Sequence, residues 1–218
     1  ATITARNGLL TATASVAVAQ VAATVTLSES TLTFAALADT TQLTATVTDA
    51  NGETVDGATV TWTTSDAAVA TVSSTGLVTS VADGTATITA RNGLLTATAS
   101  VAVTQVAATL SLSRSILTFA ALADTTQLTA TVTDANGETV DGATVTWATS
   151  DAAVATVSST GLVTSVADGT VTITATSGSA SATASVTVAQ EAATLSLSDA
   201  TLTFASLADT TQLTATVT

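Results

Sequence analysis

The sequence predicts an all-β fold, built from seven-stranded β-sandwich domains repeated in tandem and arranged end to end. Three observations carry that prediction. An 85-residue period places Asp39, Asp124 and Asp209 in the same phrase, LADTTQLTATVT, and Trp62 and Trp147 in the phrase TVTW. Apolar residues alternate with threonine and serine along short stretches, the period-two pattern of a strand buried on one face. Glycines and Asn-Gly pairs interrupt those stretches at short intervals, which is the punctuation of a sandwich of hairpin-connected strands.

The period divides the chain into four parts. Residues 1–20 are the C-terminal strands of a preceding repeat, 21–105 and 106–190 are whole repeats, and 191–218 are the N-terminal strands of a following one. The whole copies agree at 72 of 85 positions, so a single fold should serve both. The two end pieces together lack the middle of a repeat, and the chain reads as a window on a longer array. In the first whole copy, one strand is expected over 24–34, broken near Ser30. A second spans 41–48, with Leu43, Ala45 and Val47 facing one way and Thr44, Thr46 and Thr48 the other. A third covers 58–64, carrying Ala58, Val60 and Trp62 inward. Two short strands, 68–72 and 77–81, flank the corner at Gly76. After Gly84 comes a sixth over 85–90, with Ala86, Ile88 and Ala90 on one side. The seventh, 94–103, follows the Asn92-Gly93 pair and presents Leu95, Ala97, Ala99, Val101 and Val103. Asn51-Gly52 marks a further hairpin, since both residues of such a pair accept positive φ. Trp62, with Phe34 nearby, is the expected core anchor. A unit of this length is small but can bury a workable core without staples.

Composition narrows the function. Cysteine, histidine, methionine, tyrosine, proline and lysine are all absent, and three arginines stand against sixteen acids, a net charge of −13. That balance argues against nucleic acid or an anionic membrane as partner and favours solubility with mutual repulsion. No apolar run approaches the ~20 residues needed to span a bilayer, so no membrane insertion is expected in this segment. With no His, Cys, Lys or glycine-rich phosphate loop, catalytic machinery is not expected and no cofactor is required. The Asp49 and Glu53 carboxylates read as a solvated turn. Lys–Asn isopeptide crosslinks cannot form without lysine, which leaves a Thr–Gln ester through Gln42 or Gln127 as the remaining crosslink chemistry.

The segments QLTATV, ATVTW, SDAAVATVSSTGLVT and ADGTATITA, taken together, resemble the bacterial immunoglobulin-like domain of group 2 found in invasin- and intimin-type surface proteins. The resemblance covers both whole repeats and both partial ones. It implies a seven-stranded immunoglobulin-like sandwich, export to the bacterial cell exterior, and a place in the stalk of an adhesin or surface fibre. One departure is Leu37-Ala38, where relatives usually carry Val-Gly before the aspartate, so the turn at Asp39 is expected to differ.

In a sandwich of this topology, the corners holding Asp39, Asp66 and Asp83 share one pole. The corner carrying Asp49, Asn51, Glu53 and Asp56 lies at the other. With domains stacked end to end, Asp39, Asp66 and Asp83 would face Asp134, Asn136, Glu138 and Asp141 of the next copy. Carboxylates converging in this way suit Ca²⁺, a hard cation that takes oxygen ligands. The competing reading is that loop acids are solvated and keep the chain soluble. The connecting segment Val101–Thr109 contains no Gly or Pro, unlike a flexible tether, and predicts a stiff rod rising about 35–45 Å per domain. Rows such as Thr59, Thr61 and Thr63 follow β-propensity with adequate solubility; lateral association, or ice or glycan binding, are the other readings of that hydroxyl surface. Edges bearing no Lys or Pro have little protection against strand pairing. The expected partners are therefore neighbouring repeats, with other copies of the chain laterally as a further one. Function reads as a stiff spacer or fibre body of an extracellular adhesin or surface filament. The alternatives are a self-assembling multi-chain fibre, or a repeated module binding glycan or host protein.

Overall fold

The alternation in the sequence becomes burial once two sheets face each other. The computed structural model describes residues 1–192 and 194–217; Ala193 and Thr218, both in the final fragment, lie outside the described residues. The chain divides into two units: Ala1–Val106 together with Asp134–Glu138, and Ala107–Thr133 together with Thr139–Thr218.

The first unit opens with a hairpin of β1 (Thr2–Asn7) and β2 (Leu10–Ser15). The sandwich follows as β3 (Thr24–Leu27), β4 (Thr31–Phe34), β5 (Thr40–Gln42), β6 (Ala45–Thr48), β7 (Thr61–Thr64), β8 (Ala70–Val72), β9 (Leu77–Ser80), β10 (Gly84–Asn92) and β11 (Leu95–Val103). One sheet has the order β4-β11-β10-β7, with β4 parallel to β11; opposite it lie β5-β9-β8 and the pair β3-β6. The second unit repeats this with β12 (Thr109–Leu112), β13 (Ile116–Phe119), β14 (Thr125–Gln127), β15 (Ala130–Thr133), β16 (Thr146–Thr149), β17 (Ala155–Val157), β18 (Leu162–Ser165), β19 (Gly169–Ser177) and β20 (Ala180–Val188). A last pair, β21 (Leu195–Leu197) and β22 (Ala215–Val217), closes the described chain.

Register explains the packing. Along β10 and β11 the inward pairs are Ala86 with Val101, Ile88 with Ala99 and Ala90 with Ala97, while Thr85, Thr87 and Thr89 face outward opposite Ala102, Ser100 and Thr98. Val101 against Ala86 and Ile88 against Ala99 set large beside small. Leu43, Val78, Ile88 and Ala99 are fully buried in one cluster with Leu32 and Phe34. Burying a side chain such as Leu43 or Ile88 contributes about 1.5–3 kcal/mol. Trp62 is half-buried and packs on both this cluster and the one around Val25, Val47 and Ala90. It joins the two halves of the core rather than filling the centre. Ile3 occupies in β1 the place of Ile88 in β10, yet is 62% exposed against 0% for Ile88, because no second sheet covers β1. The interior is a property of the closed sandwich, not of the strand.

Four elements differ from expectation. The 24–34 strand does break, and its halves join different sheets: β3 pairs antiparallel with β6 and β4 pairs parallel with β11. The 41–48 strand breaks as well, at Leu43-Thr44. Leu43 N–H bonds the Gly76 carbonyl, then Ser28 N–H bonds the Thr44 carbonyl, so the chain passes from β9 to β3 as neighbour. The third strand is shorter than expected, starting at Thr61, while Asn92 Nδ2 donates to the Thr59 carbonyl. The hairpin after β10 also differs in its turn. Asn92 pairs with Leu95 inside the ladder, and the loop is Gly93-Leu94 with only Gly93 at positive φ, +60°. That is the arrangement of a type II′ turn, in which glycine leads.

Candidate functional site

Among the acids singled out in the sequence, Asp49, Asp66 and Asp134 organise the backbones of their own loops. In the loop after β6, Asp49 Oδ1 accepts from Asn51 N–H at 2.9 Å and Glu53 N–H at 3.0 Å, closing an Asx turn. The corresponding loop after β15 does the same with Asp134, Asn136 and Glu138. Residues Asp134–Glu138 count with the first unit, and there they meet the turn between β4 and β5. Asp134 Oδ2 accepts from Leu37 N–H at 2.8 Å and from Gln105 Nε2 at 2.9 Å. Asn136 Nδ2 donates to the Leu37 carbonyl and to Asp39 Oδ1, both at 2.8 Å. Asp83 Oδ1 accepts from Gln105 N–H at 2.7 Å.

Three of the predicted acids, Asp39, Asp83 and Asp134, are thus gathered, with Asn136 between two of them. What links them is amide donors. Gln105 touches Asp83 through its backbone and Asp134 through its side chain, and Asn136 bonds Asp39. Among the described residues, no hydrogen bond ties the side chains of the remaining predicted residues to this network. Asp66 turns its carboxylate on Ala68 N–H at 2.9 Å within its own loop, Glu138 contributes its backbone, and Asp141 is exposed in the second unit. Among the described residues, no three acids come together in a way that could hold a metal ion. Of the expected calcium set of Asp39, Asp66, Asp83, Asp134, Asn136, Glu138 and Asp141, this network joins Asp39, Asp83, Asp134 and Asn136. Asp134 accepts N–H donors on both oxygens, and Asp39 and Asp83 each accept one on Oδ1.

Electrostatics follow from this wiring. Asp134 is only 1% exposed. Burial pushes its carboxyl up, but the Gln105 side chain and the Leu37, Glu138 and Asn136 amides outweigh burial and hold it below its ordinary value. Asp49 is also held low, by the amides of Glu53 and Asn51 foremost and by the Gln20 side chain.

Sequence reasoning missed the residues that complete the arrangement. Gln20 and Gln105 occupy the same place in the period, and each donates its side-chain amide to the aspartate 29 positions onward, Asp49 and Asp134. That offset is visible in the sequence as a repeated Gln–Asp spacing. Ser80, 2% exposed, donates its hydroxyl to the Ala36 carbonyl at 2.9 Å and reaches the Asp39 carbonyl at 3.3 Å, wrapping the turn that carries Leu37. In that turn Ala38 has φ +60°, as Ala123 and Ala208 have +61° and +71°. The departure from Val-Gly therefore leaves alanine in a left-handed conformation that a glycine adopts freely.

Thr31, Thr33, Thr85, Thr87 and Ser100 line a shallow hollow on the outer face of the four-stranded sheet. Gln42 Nε2 donates to the Leu43 and Thr75 carbonyls, so its amide is engaged by backbone. No helix among the described residues is long and apolar enough to cross a membrane.

Among solved structures, the chain is similar to surface layer protein SbsC, domains 1–6, with 24% identity over 82% of this chain and 30% of that one, at a TM-score of 0.40. It is similar also to human protocadherin-24 EC1-2, with 11% identity over 79% of this chain and 99% of that one, at 0.32, and to mouse cadherin-23 EC22-24, with 14% identity over 77% and 65%, at 0.34. The chain spans about 30% of the length of that SbsC structure. No curated protein matches it. The sequence profile of the bacterial Ig-like domain (group 2) matches residues 21–103 and again 97–188. Two profile matches laid over two copies of the sandwich place this chain in the bacterial Ig-like domain (group 2) family.

Proposed function

We propose that the chain is a structural repeat region of a bacterial extracellular adhesin or surface filament, acting as a stiff spacer or fibre body. One observation carries this reading: the segment leaving each sandwich is stitched down rather than free. After β11, Thr104 N–H bonds the Phe34 carbonyl at 3.0 Å, Gln105 N–H bonds Asp83, and Val106 N–H bonds the Ala35 carbonyl at 2.9 Å. After β20, Ala189 and Glu191 bond the Phe119 and Ala120 carbonyls at 3.0 Å, and Gln190 N–H bonds Asp168. A connection with consecutive backbone bonds and no Gly or Pro resists bending, unlike a solvated tether. Its neighbours are further copies of the same repeat, with lateral partners of the same chain as the extension of that role.

The chemistry agrees with a mechanical role. The sequence holds no His, Cys or Lys, and the aromatic rings of the whole repeats pack in their cores. Small-angle scattering of the chain tests the proposal. A rod-like distance distribution, unchanged between low and moderate salt, is the expected result; a broad distribution from independently tumbling units would refute it.

A further inference from the structure

The pentapeptide DANGE occurs twice, at Asp49–Glu53 and Asp134–Glu138, within identical flanking sequence. The backbones also match. Gly52 N–H bonds the Asp49 carbonyl and Gly137 N–H bonds the Asp134 carbonyl, both at 3.1 Å, with Gly52 at φ +84° and Gly137 at +86°. Both asparagines are exposed. They differ in what holds the side chain: Asn136 Nδ2 donates to the Leu37 carbonyl and Asp39 Oδ1, and Asn51 makes neither bond. Asn-Gly is the sequence in which the glycine nitrogen reaches the asparagine side chain with least hindrance, because glycine has no Cβ. Attack of that nitrogen on Cγ forms a C–N bond and expels the side-chain nitrogen as ammonia, leaving a succinimide. Water then opens the ring to aspartate or isoaspartate. The reaction requires Cγ to swing toward the following nitrogen, so a side chain tied by two hydrogen bonds reacts more slowly.

We propose that the two DANGE loops are modification sites that age at different rates: Asn51 is open to deamidation, and Asn136 is protected by its bonds to the Leu37–Asp39 turn. At Asn136 the change would be one-way in its effect. It replaces an amide donor with a carboxylate beside the Asp39 carboxylate, so both hydrogen bonds are lost and two like charges meet where the loop was held. Docking of the loop therefore preserves the group that makes the docking possible.

The test is to incubate the whole chain at mildly alkaline pH and follow each site by peptide mapping. Trypsin cuts after Arg6, Arg91 and Arg114, which puts Asn51 and Asn136 in different peptides; fragment ions separate Asn51 from Asn7. Asn136 should convert about tenfold more slowly than Asn51, the ratio that about one net hydrogen bond sustains. The Asp39→Ala chain should speed Asn136 without altering Asn51, since among the described residues the Asp39 carboxylate accepts its side-chain bond from Asn136. In strong urea the two rates should converge, because the flanks are the same. Equal rates in the folded chain, an Asp39→Ala chain with unchanged rates, or a difference that persists in urea would each overturn the proposal.

Discussion

Ala38 and Ala123 sit at φ +60° and +61°, a region where a Cβ crowds the following carbonyl. Left-handed geometry costs an L-residue about 1–2 kcal/mol, and glycine gives part of that back through the extra freedom of the unfolded chain. Ala38→Gly and Ala123→Gly should therefore each raise stability by about 0.5–1 kcal/mol, read as a shift in urea midpoint at constant slope. A loss of stability would mean the methyl group packs more than the geometry suggests. Asp134 makes the opposite case, a residue whose chemistry cannot be exchanged. Its carboxylate takes four N–H donors, and those donors keep its folded-state pKa below the ordinary value despite burial. A depressed carboxylate stabilises the fold fully above the unfolded value, about 4, and that contribution fades as pH falls through the lower folded value. Asp134→Asn would point an NH₂ group at Leu37 N–H or Gln105 Nε2, donor against donor. The expected loss is about 1–3 kcal/mol at neutral pH, with a flatter stability profile below pH about 4. An unchanged profile would remove Asp134 as its source.

At the scale of the element, the strands were legible in the sequence because period two is local, while the places where a strand changes sheet were not. The break near Ser30 showed as an interruption between LSES and TLTF. The break at Leu43-Thr44 left no mark, since Leu43 keeps the alternation and is fully buried; the bonds of Leu43 N–H to the Gly76 carbonyl and of Ser28 N–H to the Thr44 carbonyl reveal the switch. Gly76 is the counterpart of that switch. A Cβ there would lie 2.5 Å from the Leu43 carbonyl oxygen and 2.8 Å from the Trp62 ring. Gly52 has a similar φ, +84° against +87°, but a Cβ there meets nothing within 4 Å. Substitution by alanine separates conformation from packing. Gly52→Ala should cost about 1 kcal/mol, the left-handed penalty alone, and Gly76→Ala about 3 kcal/mol or more, because backbone strain and a displaced β5–β9 contact add. Tryptophan fluorescence should shift for Gly76→Ala and not for Gly52→Ala. Equal costs would show that the corner at Gly76 relaxes freely.

Across the whole molecule, sixteen acids face three arginines, and the question is what offsets their repulsion where loops meet. Asp39, Asp83, Asp134 and Asn136 share one hydrogen-bond network, and their corner positions could be read from topology alone. The cation expectation comes from counting carboxylates, and their hydrogen bonds are not visible in the sequence. Whether a lone pair faces a metal or an amide depends on where Gln105 and the Leu37 N–H lie, and those positions exist only in the folded chain. Amide donors neutralise no net charge, so the long-range repulsion persists and should respond to ionic strength. With a Debye length of about 10 Å at 0.1 M and about 3 Å at 1 M, sodium chloride should raise the melting temperature gradually. Calcium at matched ionic strength should add nothing to that, since the Asp134 carboxylate at the centre of the network accepts N–H donors on both oxygens. A specific site would instead give a rise that saturates with calcium and is reversed by chelator, following the logarithm of ligand over its dissociation constant. Thermal melts in paired sodium and calcium series distinguish the two: superimposed curves fit an amide-bridged network, and a saturable calcium increment would mean the loops rearrange to bind the ion.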